Sequence, residues 1–132
     1  MLKLSGRRPR DLGIERGRFR AARSWKPNWV SSQVDGGDAH YIAPFPIAGD
    51  ANAAWARLRS ALAATPRITI IEERPDYLYA EASTPTLGFV DDLEFALTSN
   101  AIHVRSSSRL GIRDFDVNRK RIEALRSAVK GA

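Results

Sequence analysis

Apolar residues recur along this chain in two rhythms, and the change between them lays out the elements. From Asp50, the positions Ala51, Ala54, Trp55, Leu58, Ala61 and Leu62 fall on one helical stripe, with Asn52, Arg57 and Arg59 turned away. This spacing predicts a helix capped by Asp50 and running through Leu62 or Ala64, stopped by Thr65 and Pro66. The rhythm then shortens to strand-like runs at Arg67 to Glu73, Tyr77 to Ser83, Gly88 to Leu97 and Ala101 to Leu110. Their connections at 74–76 and 98–100 are short enough to predict antiparallel hairpins. His40 to Phe45 reads as a short edge strand ended by Pro44 and Pro46. A final stripe of Val117, Ile122, Leu125, Ala128 and Val129 predicts a helix capped by Asp114 or Asp116, with Gly131 beyond its end. The order βαββββα predicts an α+β domain, a four- to five-stranded antiparallel meander with both helices on one, concave, face. Helix-grip ligand-binding proteins share that plan by analogy of fold.

A two-residue turn at Ser99 and Asn100 sets the register of the last hairpin. It pairs Leu97 with Ile102, Phe95 with Val104, Leu93 with Ser106 and Asp91 with Ser108 on the core face. On the opposite face Ala96 meets His103, Glu94 meets Arg105, Asp92 meets Ser107 and Val90 meets Arg109. Asp92, Glu94, Arg105 and Arg109 then read as an outer set of structural ion pairs, worth roughly 0.2–1 kcal/mol each on an open face. Asp91, Ser106 and Ser108 instead continue an apolar row inward, where a buried carboxylate needs a partner. Asn118, one turn ahead of Ile122, and Arg121 stand within reach. Two readings fit these residues: a polar ligand pocket at the sheet end, or a closed network that docks the last helix.

Composition narrows the classes. The 132 residues suffice for one core, and the absence of cysteine excludes disulfides and thiol chemistry. No apolar run reaches membrane-span length and the first residues turn charged at once, so a cytoplasmic location is expected. The net charge of +6 is carried by residues 1–26, where nine Lys or Arg face two acids. Residues 1–23 accordingly read as a flexible basic arm, able to meet nucleic acid or an anionic membrane, ahead of a single domain at 24–132. The stretch Trp25 to Gln33 reads as an ordered loop broken at Pro27 and Asn28. Its indoles and the polar side chains of Asn28, Ser31 and Ser32 either line a pocket or strap one end of the core.

Catalytic templates fit poorly. His40 and His103 are the only histidines, and the register turns His103 away from Ser106 and Ser108. No GxSxG elbow, Walker loop, dinucleotide fingerprint or HExxH motif occurs, so no catalytic residue and no cofactor is expected. A regular strand turns Asp91 away from Asp92 and Glu94, and no metal site is expected. The function expected is non-enzymatic binding of a small anionic or amphipathic molecule between the Trp25–Gln33 loop and the Asp91/Asn118 end of the sheet. Its candidate contacts are Trp25, Asn28, Ser31, Ser32, Asp91, Ser106, Ser108, Asn118 and Arg121. Two rivals are a small hydrolase or isomerase using Asp91 with Ser106 and Ser108, and an accessory protein acting through the basic arm.

Three motifs, NWVSSQ at Asn28 to Gln33, FVDDLEF at Phe89 to Phe95, and VRSSSRLG running into DFDVNRKRIEAL at Val104 to Leu125, resemble the family known as domain of unknown function 1499. The resemblance covers roughly Trp25 to Val129 and leaves the arm as a private feature. It implies no activity. It implies that Asn28, Ser31, Ser32, Asp91, Glu94, Arg105, Ser106, Ser108, Arg109, Asn118 and Arg121 are recurrent positions. Many relatives carry Cys near the first motif, where this chain has Arg23 and Trp29.

Overall fold

The computed structural model describes residues 7–20, 28–84, 88–109 and 115–130. Asp50 accepts from Ala53 N through its side chain and starts helix α1, Ala51–Ala64, which buries Ala54, Trp55, Leu58 and Leu62. The second helix, α2, is Phe115–Lys130; the expected cap Asp114 lies outside the described residues. Strands β5 (Ile68–Glu73), β6 (Tyr77–Ser83), β7 (Val90–Leu97) and β8 (Ala101–Ser108) form the antiparallel meander. The β7–β8 register is the expected one, from Leu97 opposite Ile102 to Asp91 opposite Ser108. Thr98 closes the turn, its N–H and hydroxyl both donating to Ala101 O. Strict alternation drives this pairing, since a slip of one residue would turn Leu93, Phe95, Ile102 and Val104 out of the core.

Both helices cover one face, and Leu58, Leu62, Leu78, Phe95, Ile102 and Ile122 are essentially sealed between the layers. Burial of each such side chain stabilises the fold by about 1.5–3 kcal/mol.

Two expectations about strands are corrected. The loop at Trp25–Gln33 contains a strand, β3 (Trp29–Ser31), paired with the Arg105–Ser107 half of β8. The strand expected at His40–Phe45 shrinks to β4 (Phe45–Pro46), paired with Ile102 and Ala101. Pro44 and Pro46 have no N–H to give a ladder, so this segment cannot cover all of β8. Ser32 fills the gap between the two short strands. Its N–H donates to Val104 O (2.9 Å) and its hydroxyl accepts from Val104 N (2.8 Å).

The basic segment is also structured where it is described. β1 (Ile14–Glu15) and β2 (Arg18–Phe19) form a hairpin around Arg16 and Gly17, both at positive φ (55° and 77°). That turn favours glycine at its second central position, which is what Gly17 supplies. Instead of an open arm, residues 8–20 form a strap against the outer face of the sheet, fastened to Glu81, Glu94 and Arg105. Residues 1–6 and 21–23 of the expected arm lie outside the described residues.

Candidate functional site

The residues singled out in the sequence converge at one end of the sheet, on two faces. On the inner face, β7 supplies Asp91, β8 supplies Ser106 and Ser108, and α2 supplies Asn118 and Arg121. Ser106 Oγ donates to Asn118 Oδ1 (2.6 Å), while Asn118 Nδ2 donates to Ser108 Oγ (3.0 Å) and Asn28 O (3.1 Å). Asn28 extends the β3–β8 ladder, its Nδ2 donating to Ser108 O and its carbonyl accepting from Ser108 N, both at 2.8 Å. Arg121 Nη1 meets Asp91 Oδ2 at 2.5 Å. Asp91, Ser106 and Asn118 are fully buried, and these bonds run between α2, β3, β7 and β8. The arrangement is that of a helix docked through a polar lock.

The outer face carries charge where solvent was expected. Glu94 and Arg105 side chains are 1% and 6% exposed, and Asp92 and Arg109 are 0% and 8% exposed. The ion pairs are therefore buried, and the exposed-pair magnitude does not apply to them. The strap is the cause: Gly13 N donates to Glu94 Oε2 (2.7 Å), and Arg105 donates to Asp11 O and Arg20 O beneath the Phe19 ring. Glu94 also accepts from Tyr77 Oη (2.7 Å) and from Arg105 Nε (2.7 Å). Both its oxygens are thus occupied. Alongside, Tyr79 Oη lies 2.8 Å from Glu81 Oε2 and 2.5 Å from Asp92 Oδ1, and Arg109 binds both carboxylates.

Burial pushes the Glu94 and Asp92 carboxyls up from their ordinary range, against the opposing pull of Arg105 and Arg109. Glu81 is less deeply placed. Burial pushes it up too, but hydrogen bonds from Tyr79, Arg8 and Arg109 prevail and hold it below the usual value. Burial and the adjoining carboxylates push the Tyr77 and Tyr79 phenols up, so both remain protonated donors. Raised acids beside a cleft are a common mark of an active site, but saturated ones have no proton acceptor to offer a substrate.

Ser32 Oγ and His103 Nδ1 share a hydrogen bond of 2.9 Å. That hydroxyl also accepts from Val104 N, which fits a ladder substitute better than a nucleophile. Ser31 Oγ accepts from Gln33 N, and Trp29 stacks on His40 with centroids 3.8 Å apart. Trp25 lies outside the described residues. Asp91 faces away from Asp92 and Glu94, as the register requires.

Several clefts open on the surface. One of ≈ 270 Å³ opens between Pro9 and Leu12 of the strap and Asn28, Trp29 and Ser107 of the sheet. Another, ≈ 260 Å³, lies beside Arg67 and Arg121. The first is also lined by Glu94, Arg105, Ser108 and Arg109, so the expected contacts Asn28 and Ser108 reach one cleft and Arg121 the other, but Asp91, Ser106 and Asn118 line neither. The third, ≈ 640 Å³, lies away from the motif residues, floored by Phe45, Ala54, Ile102 and Val129. One wall is the Ala43–Pro46 segment, which α2 holds by Arg126 donating to Pro44 O and Ala43 O, while Arg119 holds Tyr41 O and Ala39 O. Sequence reasoning overlooked these two arginines, although their spacing of seven puts them on one side of a helix.

The model of the family described as Protein of unknown function (DUF1499) matches residues 10–129. No curated protein and no solved structure matches the sequence. The matched region reaches back to residue 10, so most of the strap is shared with the family instead of being private to this chain. With a match over most of its length, and with the shared motifs forming the polar lock and the buried ion pairs, the chain belongs to the DUF1499 family.

Proposed function

We propose that this domain is a non-catalytic binder of a small anionic amphipathic molecule, held in the cleft between β4, α1 and the end of α2. One observation carries the reading. The ≈ 640 Å³ cleft has an apolar floor, three basic side chains (Arg57, Arg126 and Lys130) and no carboxylate among its described lining residues. Its size falls in the ordinary range for small-molecule sites, roughly 300–1,000 Å³, and apolar walls with few polar groups are their usual make-up. Arg126 is paired with Glu123 just outside the cleft (2.6 Å), so Arg57 and Lys130 supply the net positive charge beside the apolar surface, which suits a molecule with an acyl-like body and an anionic end.

The ligand class is the one expected from the sequence, but the place differs. Asn28, Ser106, Ser108 and Asn118 spend their hydrogen-bonding groups largely on one another, which argues for a docking role. The hydrolase reading finds Asp91 paired with Arg121, and Ser106 and Ser108 bonded to Asn118 instead of a base. The arm reading loses Arg8 to Glu81 and Arg18 to Gln33.

Native mass spectrometry of the freshly purified full chain tests the proposal. An organic acid of acyl type retained by the protein is the expected result. Absence of any retained molecule, together with no measurable binding of laurate, sinks it.

A further inference from the structure

Across Arg126 from the large cleft lies a second hollow of ≈ 490 Å³, bounded by Tyr41, Ile42, Arg119 and Glu123. Ala43 and Arg126 line both spaces. The guanidinium lies 4.9 Å from the Phe45 ring centroid and donates Nη2 to Ala43 O (2.6 Å), Nη1 to Pro44 O (2.9 Å) and Nε to Glu123 Oε1 (2.6 Å). Two of its three acceptors are therefore neutral carbonyls. They belong to a segment with few other ties: β4 pairs two residues with β8, Ile47 N donates to Asn100 O, and the prolines have no N–H to add.

A guanidinium can bond an oxyanion through two parallel N–H···O bonds, and the full negative charge adds an attraction that a neutral carbonyl lacks. Given the reading of the large cleft as a ligand site, we infer that Arg126 is its specificity-determining residue. The oxyanion head of a single-chain amphiphile replaces Ala43 O and Pro44 O on the guanidinium. That exchange frees the Ala43–Pro44 part of the wall, while β4 stays paired with β8, and joins the two hollows, so that an extended chain can lie along the floor formed by Phe45, Ile102 and Val129. Arg119 keeps Ala39 and Tyr41 fastened to α2, which confines the movement to the stretch beyond them. A carboxylate and a monoalkyl phosphate share this chemistry, and they are separated by comparing laurate with dodecyl phosphate.

The test is calorimetric titration of the full chain and its Arg126→Gln variant with laurate, dodecyl phosphate and the uncharged analogue dodecanol. The wild-type protein is expected to prefer one of the two anions over dodecanol by about tenfold or more, and Arg126→Gln to lose that preference while dodecanol affinity stays within about twofold. If wild-type protein binds none of the three, the ligand reading fails and this inference with it. If it binds them and Arg126→Gln changes anion and alcohol alike, the inference about Arg126 is overturned while the cleft reading stands. The wild-type Arg126 Nε–H resonance supplies a readout independent of the variant's folding. It must shift as the preferred anion is added, and binding that leaves it unmoved overturns the inference.

Discussion

Replacing Asn118 by Ala removes the centre of the lock between α2 and the sheet. Asn118 is fully buried and makes three hydrogen bonds, to Ser106 Oγ, Ser108 Oγ and Asn28 O. After Asn118→Ala, Asn28 O keeps its bond from Ser108 N, but the Ser106 and Ser108 hydroxyls lose a partner inside the protein. Each buried polar group left unmade costs about 1–3 kcal/mol, so a total near 3 kcal/mol is expected. In urea, with a slope of about 1–3 kcal/mol per molar, this lowers the midpoint by about 1–3 M without changing the slope. Removing the hydroxyls as well should recover part of the loss, because a site stripped of all its polar groups leaves none unsatisfied. The triple variant Ser106→Ala, Ser108→Ala, Asn118→Ala is accordingly expected to be less destabilised than the sum of its parts. A cost below about 1 kcal/mol for Asn118→Ala, or strict additivity in the triple variant, would refute the account of this cluster as a lock.

Two further outcomes concern the charged face and pH. Glu94→Gln leaves Arg105 buried without its countercharge and sets an amide N–H₂ among Arg105, Tyr77 and Gly13, which all donate to the Glu94 carboxylate. A loss of about 3–5 kcal/mol is expected, with faster proteolysis within residues 8–20, and an unchanged cleavage rate would show that the strap is held by other means. His103 is held below its ordinary pKa of 6.5 by burial and by Arg18, so the unfolded chain takes up a proton before the native one does. Its contribution to stability is therefore full above pH 6.5 and is lost as the pH falls through the folded value. The difference in stability between wild type and His103→Gln should shrink on acidification across that window. Taking this difference separates His103 from Asp92 and Glu94, whose raised pKa values act in the opposite sense. A difference independent of pH would mean that His103 titrates alike in both states.

What could be read from the sequence follows from how local each cause is. The β7–β8 hairpin was legible to the residue because a two-residue turn and strict alternation admit one register. Helix α1 was legible because Asp50, the Trp55 stripe and Pro66 agree. That Asn118 and Arg121 stand close to Asp91, Ser106 and Ser108 was legible once that register was set, but not that Arg121 pairs with Asp91 while Asn118 turns to Ser106, Ser108 and Asn28. The burial of Glu94 and Arg105 was not, since it depends on a segment more than 80 residues away. Glycines and arginines at 6–20 carry the composition of an open arm, and nothing local announces that Gly13 N and the Asp11 and Arg20 carbonyls have partners on β7 and β8. The strand at Trp29–Ser31 was hidden by its three-residue length, and the His40–Phe45 strand was overstated because alternation there says nothing about missing proline donors. The cleft near Phe45 escaped notice because its residues come from four separate elements and none of those residues falls within a motif.

The strap has a bearing on the order in which the molecule can be put together. Asp11 is joined to Arg105 across 94 positions, and Gly13 to Glu94 across 81. On a ribosome adding about 5–20 residues per second, Asp11 waits some 5–20 s for its partner to be made. During that interval the first hairpin has no sheet to lie on, and β3 must likewise wait for β8. The meander from β5 to β8 closes through neighbours in sequence, so it is positioned to form first, with the N-terminal segment laid over it last. A chain shortened before Arg105 would therefore leave residues 8–20 without the bonds that Arg105 makes to Asp11 O and Arg20 O, and β3 without β8, so that this segment is more exposed to proteases and to chaperones.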